Sequence, residues 1–204
     1  MLTMFESLTI NSNTQSDRIL ILTEMTWFDY EKLVQDNWEY RISYSSNVIT
    51  IVSPSRNHER IAQTISILIN AYCRKYQIPY FALGAKDIKK QLIAGKQPDA
   101  SYCFWTEKDP PDLAVEVNYT SGSINDLEKY KLLNVPEVWI WQDNSISFYR
   151  LESAEYKRQC VSFNLSSPNT SLNFALNSGF LNQYIARGLT EDNLTIETEF
   201  FKAL

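Results

Sequence analysis

Two carboxylates stand where composition does not account for them. Asp99 follows Pro98 at the edge of the strand-like run ASYCF, and Glu116 interrupts the apolar run LAVEV. A carboxylate with apolar neighbours on both sides pays a desolvation cost unless it is paired, protonated or bound to a cation. A divalent metal removes that cost, lowers the pKa of a bound water that can attack phosphorus, and neutralises charge growing on a leaving oxygen. Alternation along the strand offers a plainer account of Glu116: Leu113, Val115 and Val117 share one face, and Ala114 and Glu116 share the other, toward solvent. Any metal would be hard and oxygen-bound. His58 is the only histidine, and Cys73, Cys103 and Cys160 lie far apart with no Cys-x-x-Cys pair, which disfavours a zinc site and describes reduced packing residues.

The elements that must position these acids follow from periodicity and turn signals. RILIL (18–22) reads as a short strand, and Thr26 with Asp29 marks a helix start ahead of YEKLV. RISY and VITIV, separated by Ser45-Ser46-Asn47, form a hairpin. Apolar residues from Ile61 to Cys73 recur at helical spacing, so the main helix spans about 57–76. Strand-like stretches follow around PYFAL, AKDIKKQLI and ASYCFW, with Gly84 and Gly95-Lys96 as breaks. LAVEV is a buried strand, TSGSINDLEKYKLL changes to a helical period, and VPEVWIW and SISFYRL are two strands joined at Asp143-Asn144. Strand, helix, strand after Leu113 implies a crossover connection and hence a mixed sheet flanked by helices. GFLNQYIARGL and EFFKAL supply C-terminal helices, while residues 152–178 are Ser- and Asn-rich and the least informative.

A chain of 204 residues, 44% hydrophobic and 13% aromatic, suits one sizeable core. We read residues 1–24 as an N-terminal extension carrying the short strand, and 25–204 as one domain. The start mixes acidic and polar residues with no signal-peptide run, and no window is apolar enough to span a bilayer, which gives a soluble, cytoplasmic protein with no membrane partner. A net charge of −5 argues against wrapping nucleic acid through overall charge. Local patches remain at Lys86, Lys89, Lys90 and Lys96, and at Arg56 and Arg60, though a solvated charged surface is the first reading of such residues.

TWFDYEKL, RISYSSNVITIVSPSRNHERI, QPDASYCF, PPDLAVEVNYTSGSI and NVPEVWIW, in this order from Trp27 to about Phe148, resemble the cyanobacterial family of restriction-endonuclease-like proteins placed in the PD-(D/E)XK nuclease superfamily. The resemblance implies a restriction-endonuclease-like α/β fold with Asp99 and Glu116 holding Mg²⁺ or Mn²⁺, assisted by the carbonyl of Val117. The lysine of the superfamily motif stands two residues after the Glu, here Asn118; in this family it commonly moves to the following helix, at a position that here holds Asp126. Lys129, three residues on and on the same helical face, is the candidate replacement. His58 and Glu59 match the family's His-Glu pair, making Glu59 a candidate third carboxylate; a solvated helix start favoured by the dipole is the alternative. Gln97 stands where the family often has Glu.

Three functions follow as expectations. The first is a metal-dependent DNA endonuclease, working as a homodimer because duplex cleavage needs two sites. The second is a catalytically impaired nuclease-fold protein acting as a nucleic-acid-binding or scaffold module. The third, ranked last, is a two-carboxylate hydrolase that needs no metal, such as a glycosidase.

Overall fold

The structure, a computed structural model, describes residues 16–37, 39–119, 126–165 and 175–204. In chain order the first elements are β1 (Arg18–Leu22), α1 (Trp27–Asp36), β2 (Arg41–Ser45), β3 (Val48–Ser53) and α2 (Arg56–Lys75). Four strands follow: β4 (Tyr80–Ala82), β5 (Ile88–Lys90), β6 (Ala94–Lys96) and β7 (Ala100–Phe104). Then come β8 (Leu113–Asn118), α3 (Asp126–Leu132), β9 (Glu137–Gln142), β10 (Ser145–Glu152) and β11 (Glu155–Gln159). Two helices, α4 (Ser178–Ile185) and α5 (Asn193–Ala203), close the chain.

The local signals explain the boundaries. The Thr26 hydroxyl accepts the Asp29 amide at 3.2 Å and the Asp29 carboxylate accepts the Thr26 amide at 2.8 Å, a reciprocal cap that starts α1. Ser55 caps α2 through the His58 amide. Ser46 and Asn47, and likewise Asp143 and Asn144, take positive φ in the two-residue turns β2–β3 and β9–β10, where the primed turn geometry matches the strand twist.

The fold is mixed α/β, built on two sheets where the sequence suggested one. A five-stranded antiparallel sheet has the order β1-β3-β2-β6-β5, and a six-stranded sheet has the order β11-β10-β9-β8-β7-β4. Among the described strands only β8 and β9 pair in parallel, on either side of α3, so the mixed character resides in the six-stranded sheet. Gly95 and Lys96, taken from sequence as a break, lie within β6, because β6 pairs with both β2 and β5. An added Cβ at Gly95 would lie 2.3 Å from the Tyr30 ring, so only glycine lets α1 close on the sheet there. Cys160 is exposed rather than packed, and β11 runs through the stretch that carried least signal. The polar, aperiodic stretch from residue 1 to about 17 reads from sequence as a loose extension; all but Ser16 and Asp17 of it lies outside the described residues, and the Asp17 side chain is instead buried against His58.

Three apolar clusters hold these layers. On one face of the six-stranded sheet, Val115, Val117, Trp139, Trp141 and Phe148 pack with Ile61, Ile65 and Leu68 of α2 and with Leu181 and Phe200 of the C-terminal helices. On the opposite face, Ala114, Val138 and Ile140 meet Leu127, Tyr130 and Leu133 on and just after α3. In the third cluster, Trp27, Tyr30 and Leu33 of α1 cover Ile42, Tyr44, Ile49 and Ile51 of the smaller sheet. Because both faces of β8 are covered, all of its residues are buried. The alternation account that sent Glu116 to solvent therefore fails: its face of the strand lies beneath α3, and Glu116 is 6% exposed. Among the described residues no helix is long and apolar enough to cross a membrane.

Candidate active site

The chain passes from one sheet to the other in three residues, Gln97-Pro98-Asp99, between β6 and β7. Gln97 secures the crossing on the smaller sheet: its amide donates to the Ile42 carbonyl at 3.2 Å, and its side-chain oxygen accepts the Ile42 amide at 2.9 Å. Asp99 secures it on the larger one. Its amide donates to the Val115 carbonyl at 3.0 Å, and its Oδ2 accepts the Val117 amide at 2.8 Å, so the carboxylate supplies the next rung of the ladder where β7 ends. The register pairs Ala100 with Val115; one step further it sets Asp99 opposite Glu116, on the same side of the sheet. Both acids line a single cleft of about 550 Å³.

Asp99 is held by cations. Its Oδ1 lies 3.2 Å from Arg41 Nε and 2.9 Å from His58 Nε2, the latter an ionic contact rather than an aligned hydrogen bond. Burial alone would raise the Asp99 carboxyl, but the charges of His58 and Arg41 and the Val117 amide together keep it below its ordinary value. His58, with its Nδ1 3.1 Å from Asp17 Oδ2, is buried between two carboxylates. Burial lowers its pKa, yet Asp99 and Asp17 outweigh this and push it up to about 10, so the ring is an imidazolium at neutral pH.

Glu116 is held differently. Its Oε2 lies 3.0 Å from Lys96 Nζ, and its Oε1 accepts a hydrogen bond from the Tyr130 hydroxyl of α3. Burial, joined by the charges of Asp99 and Asp126, raises its carboxyl to about 7 in spite of Lys96 and Tyr130. Asp126 Oδ1 lies 3.4 Å from both Lys96 Nζ and Lys129 Nζ. Lys129 also donates to Ser43 Oγ at 3.0 Å; its pKa falls through burial and the neighbouring Lys96 charge.

The sequence-derived candidates are thus distributed unevenly. Asp99, Glu116, Val117 and Lys129 all line the cleft. Glu59 does not: it is half exposed and reaches the site only through Arg41, whose Nη2 lies 3.1 Å from it. Asn118 lines the cleft with Nδ2 buried and unpartnered among the described residues. Tyr119 stacks on Trp141, while Thr120 and Ser121 lie outside the described residues. Sequence reasoning missed Lys96, Arg41, Tyr130 and Asp17 as site residues. The one available signal was that Lys96 stands three residues ahead of Asp99 in GKQPD, but it was obscured by reading Gly95-Lys96 as a break.

The opposite wall is the outward face of the smaller sheet. Ile19 and Ile21 of β1, Val48, Thr50 and Val52 of β3, and Ser43 and Ser45 of β2 alternate with the residues that pack on α1. An apolar and hydroxyl-bearing wall therefore faces a charged floor.

The donor chemistry fits a hard divalent cation. Asp99 and Glu116 stand on adjacent strands, and the peptide of Val117, whose amide already points to Asp99, carries its carbonyl on that same strand edge. Ions of the Mg²⁺ type take one or two carboxylates and leave other positions to water and phosphate oxygens. The Glu116 carboxyl is raised first by burial and then by the neighbouring Asp99 and Asp126 charges, a setting in which a bound cation would favour its ionised form. Among the described residues there is no cage of three or more His, Cys, Asp or Glu side chains, so such an ion would rely on few protein ligands and would compete with Lys96 for Glu116.

A family model, Uma2, described as "Putative restriction endonuclease", matches residues 27–179. Among solved structures, the chain is similar to a "putative nuclease belonging to DUF820 from Anabaena variabilis ATCC 29413", with 17% identity and a TM-score of 0.50 over 71% of this chain and 90% of that one. At that identity the likeness speaks for the fold. No curated protein matches the chain.

Proposed function

The chain belongs to the Uma2 family, described as putative restriction endonucleases, and from that premise we propose that it hydrolyses phosphodiester bonds of DNA with Mg²⁺ or Mn²⁺ held by Asp99 and Glu116. The observation that carries this reading is the placement of these two acids opposite one another on β7's leading edge and β8, within one cleft. Asp99, Glu116 and the Val117 carbonyl are the groups that would hold the ion. When bound, it supplies Lewis acidity toward water and phosphate.

The remaining work falls to the chain's own residues. Arg41 and His58 fix the Asp99 carboxylate, and Tyr130 fixes that of Glu116, so both are positioned before substrate arrives. In the reaction a water oxygen bonds to phosphorus and the bond from phosphorus to the leaving oxygen breaks with its electron pair. The water's proton passes to solvent, and the leaving oxygen takes one from solvent. Cutting both strands of a duplex calls for two such clefts, hence a pair of chains.

The test is cleavage of supercoiled plasmid and labelled duplex oligonucleotide with Mn²⁺, Mg²⁺ or chelator. The wild-type chain nicks or cuts only with metal, and Asp99→Asn and Glu116→Gln are both inactive. Equal activity of either variant, or activity in chelator, refutes the reading. A second reading, a nucleic-acid-binding module without catalysis, draws support from the cleft's internal pairing: Arg41, His58, Lys96 and Tyr130 already engage the carboxylates. Retention of labelled DNA without any cleavage is the result that favours it.

A further inference from the structure

Four cationic side chains line this cleft: Arg41, His58, Lys96 and Lys129. Two are committed to Asp99. Arg41 spans Asp99 and Glu59, and His58 is wedged between Asp99 and Asp17. Lys129 contacts Asp126 and Ser43, and among the described residues it forms no direct ion pair with either central acid. Among the described residues, Lys96 is the cation in contact with Glu116, at 3.0 Å, and it is held from the other side by Asp126 at 3.4 Å.

Strand geometry explains why Lys96 points inward. Gly95 presents its face to Tyr30 of α1, so Lys96, the next residue of β6, faces the cleft, level with its β2 partner Ser43. Its ammonium also sits 5.7 Å from the centre of the Tyr130 ring. With its side chain 8% exposed and three partners around it, the group has little orientational freedom. A buried ion pair is in itself weak evidence for stability, since apolar residues of similar volume commonly serve as well. A fixed ammonium at the charged floor of an open cleft is instead what charge developing on a phosphate requires, because it needs no reorganisation during the reaction.

We propose that Lys96 is a catalytic residue of the cleft, its ammonium contacting a non-bridging oxygen of the scissile phosphate, with Asp126 as its positioning residue. This rests on the hydrolytic reading above. The role is electrostatic, so Lys96 transfers no proton and the balance of the hydrolysis is unchanged. It also assigns a purpose to Asp126, which from α3 holds the Lys96 ammonium of β6 beside Glu116.

Two readouts test the assignment together: metal-dependent cleavage, and Mn²⁺ affinity by calorimetry in the absence of DNA. Lys96→Gln is expected to lower the cleavage rate by about 10²–10³. It is also expected to tighten Mn²⁺ binding, because the ammonium no longer competes for Glu116. Lys96→Arg keeps the charge and should retain a larger share of the rate than Lys96→Gln. Adding Asp126→Lys to Lys96→Gln returns an ammonium from the helix side and should recover part of the rate.

A merely structural pair would behave otherwise, with rate and affinity falling together and no recovery in the double variant. That pattern, or a Lys96→Gln rate within tenfold of an active wild type, overturns the assignment while the hydrolytic reading stands. A wild-type chain that does not cleave at all overturns the hydrolytic reading, and the role of Lys96 with it.

Discussion

Replacing His58 by Gln removes the positive charge between Asp17 and Asp99, and the structure sets both the size of the effect and its dependence on pH. The imidazole contacts Asp17 at 3.1 Å and Asp99 at 2.9 Å, with side-chain exposures of 3% for His58, 0% for Asp17 and 2% for Asp99. Removing one partner from a buried charged group costs roughly 3–5 kcal/mol. The pKa gives a similar figure. A rise from 6.5 to about 10 corresponds to roughly 4–5 kcal/mol, at about 1.4 kcal/mol per unit. Since the folded value is raised, the stabilisation is fully present below pH 6.5 and is lost as pH climbs through 10. The gap between wild type and His58→Gln should thus be about 3–5 kcal/mol at pH 6.5, shrinking by roughly 1.4 kcal/mol per pH unit above it. Urea unfolding followed through the buried Trp139 and Trp141 at pH 6.5, 8 and 9.5 measures the gap, and the variant cancels titrations common to both proteins. A gap below about 1 kcal/mol at pH 6.5, or one that stays constant over this range, refutes the reasoning.

Two further outcomes follow from the same description. The Glu116 carboxyl is raised from 4.5 to about 7, so its contribution is present below pH 4.5 and is lost as pH rises through 7. Metal-free Glu116→Gln should accordingly gain on wild type by roughly 3–4 kcal/mol between pH 4.5 and 8 in urea titrations, and a gap that does not change with pH contradicts the burial and charge crowding described. Gly95→Ala places a methyl 2.3 Å from the buried Tyr30 ring, which is itself tied to Asp87; a loss of about 1–3 kcal/mol in thermal or chemical unfolding is expected, and unaltered stability would show that α1 can shift.

The legible parts of the fold were those that local chemistry decides. Thr26 and Asp29, the Ser46-Asn47 and Asp143-Asn144 turns, and the long apolar period of α2 each carry their own signal, and each element formed where that signal lies. LAVEV was readable as a buried strand, but the direction of Glu116 was not. Whether the second face of β8 meets solvent depends on α3 folding back over it, which no pattern inside β8 records. Lys96 was hidden for a related reason. Three-residue β6 has no alternation to display, and it is a strand only because β2 and β5 pair with it from distant parts of the chain. Asp17 lies just beyond a segment with no periodicity at all, and its partner His58 is forty-one residues away. Asp99 and Glu116 stood out because one follows Pro98 at a strand edge and the other interrupts an apolar run, and the family resemblance joined them; the cations beside them follow ordinary surface statistics in sequence and acquire meaning only in three dimensions.

The three-residue crossing from β6 to β7 also has a mechanical consequence. Lys96 belongs to one sheet and Asp99 to the other, and Gln97 is bonded to the first sheet while Asp99 is bonded to the second. At this end the two walls are tied by a covalent strap too short to lengthen. β1, the edge strand of the smaller sheet, is held to the same floor by a second tie: Asp17, just ahead of it, accepts the Ser55 amide at 2.8 Å and contacts His58, which reaches Asp99. The floor of the cleft is therefore clasped from both sides, one clasp covalent and one ionic, and only the ionic one can be released by a change of charge.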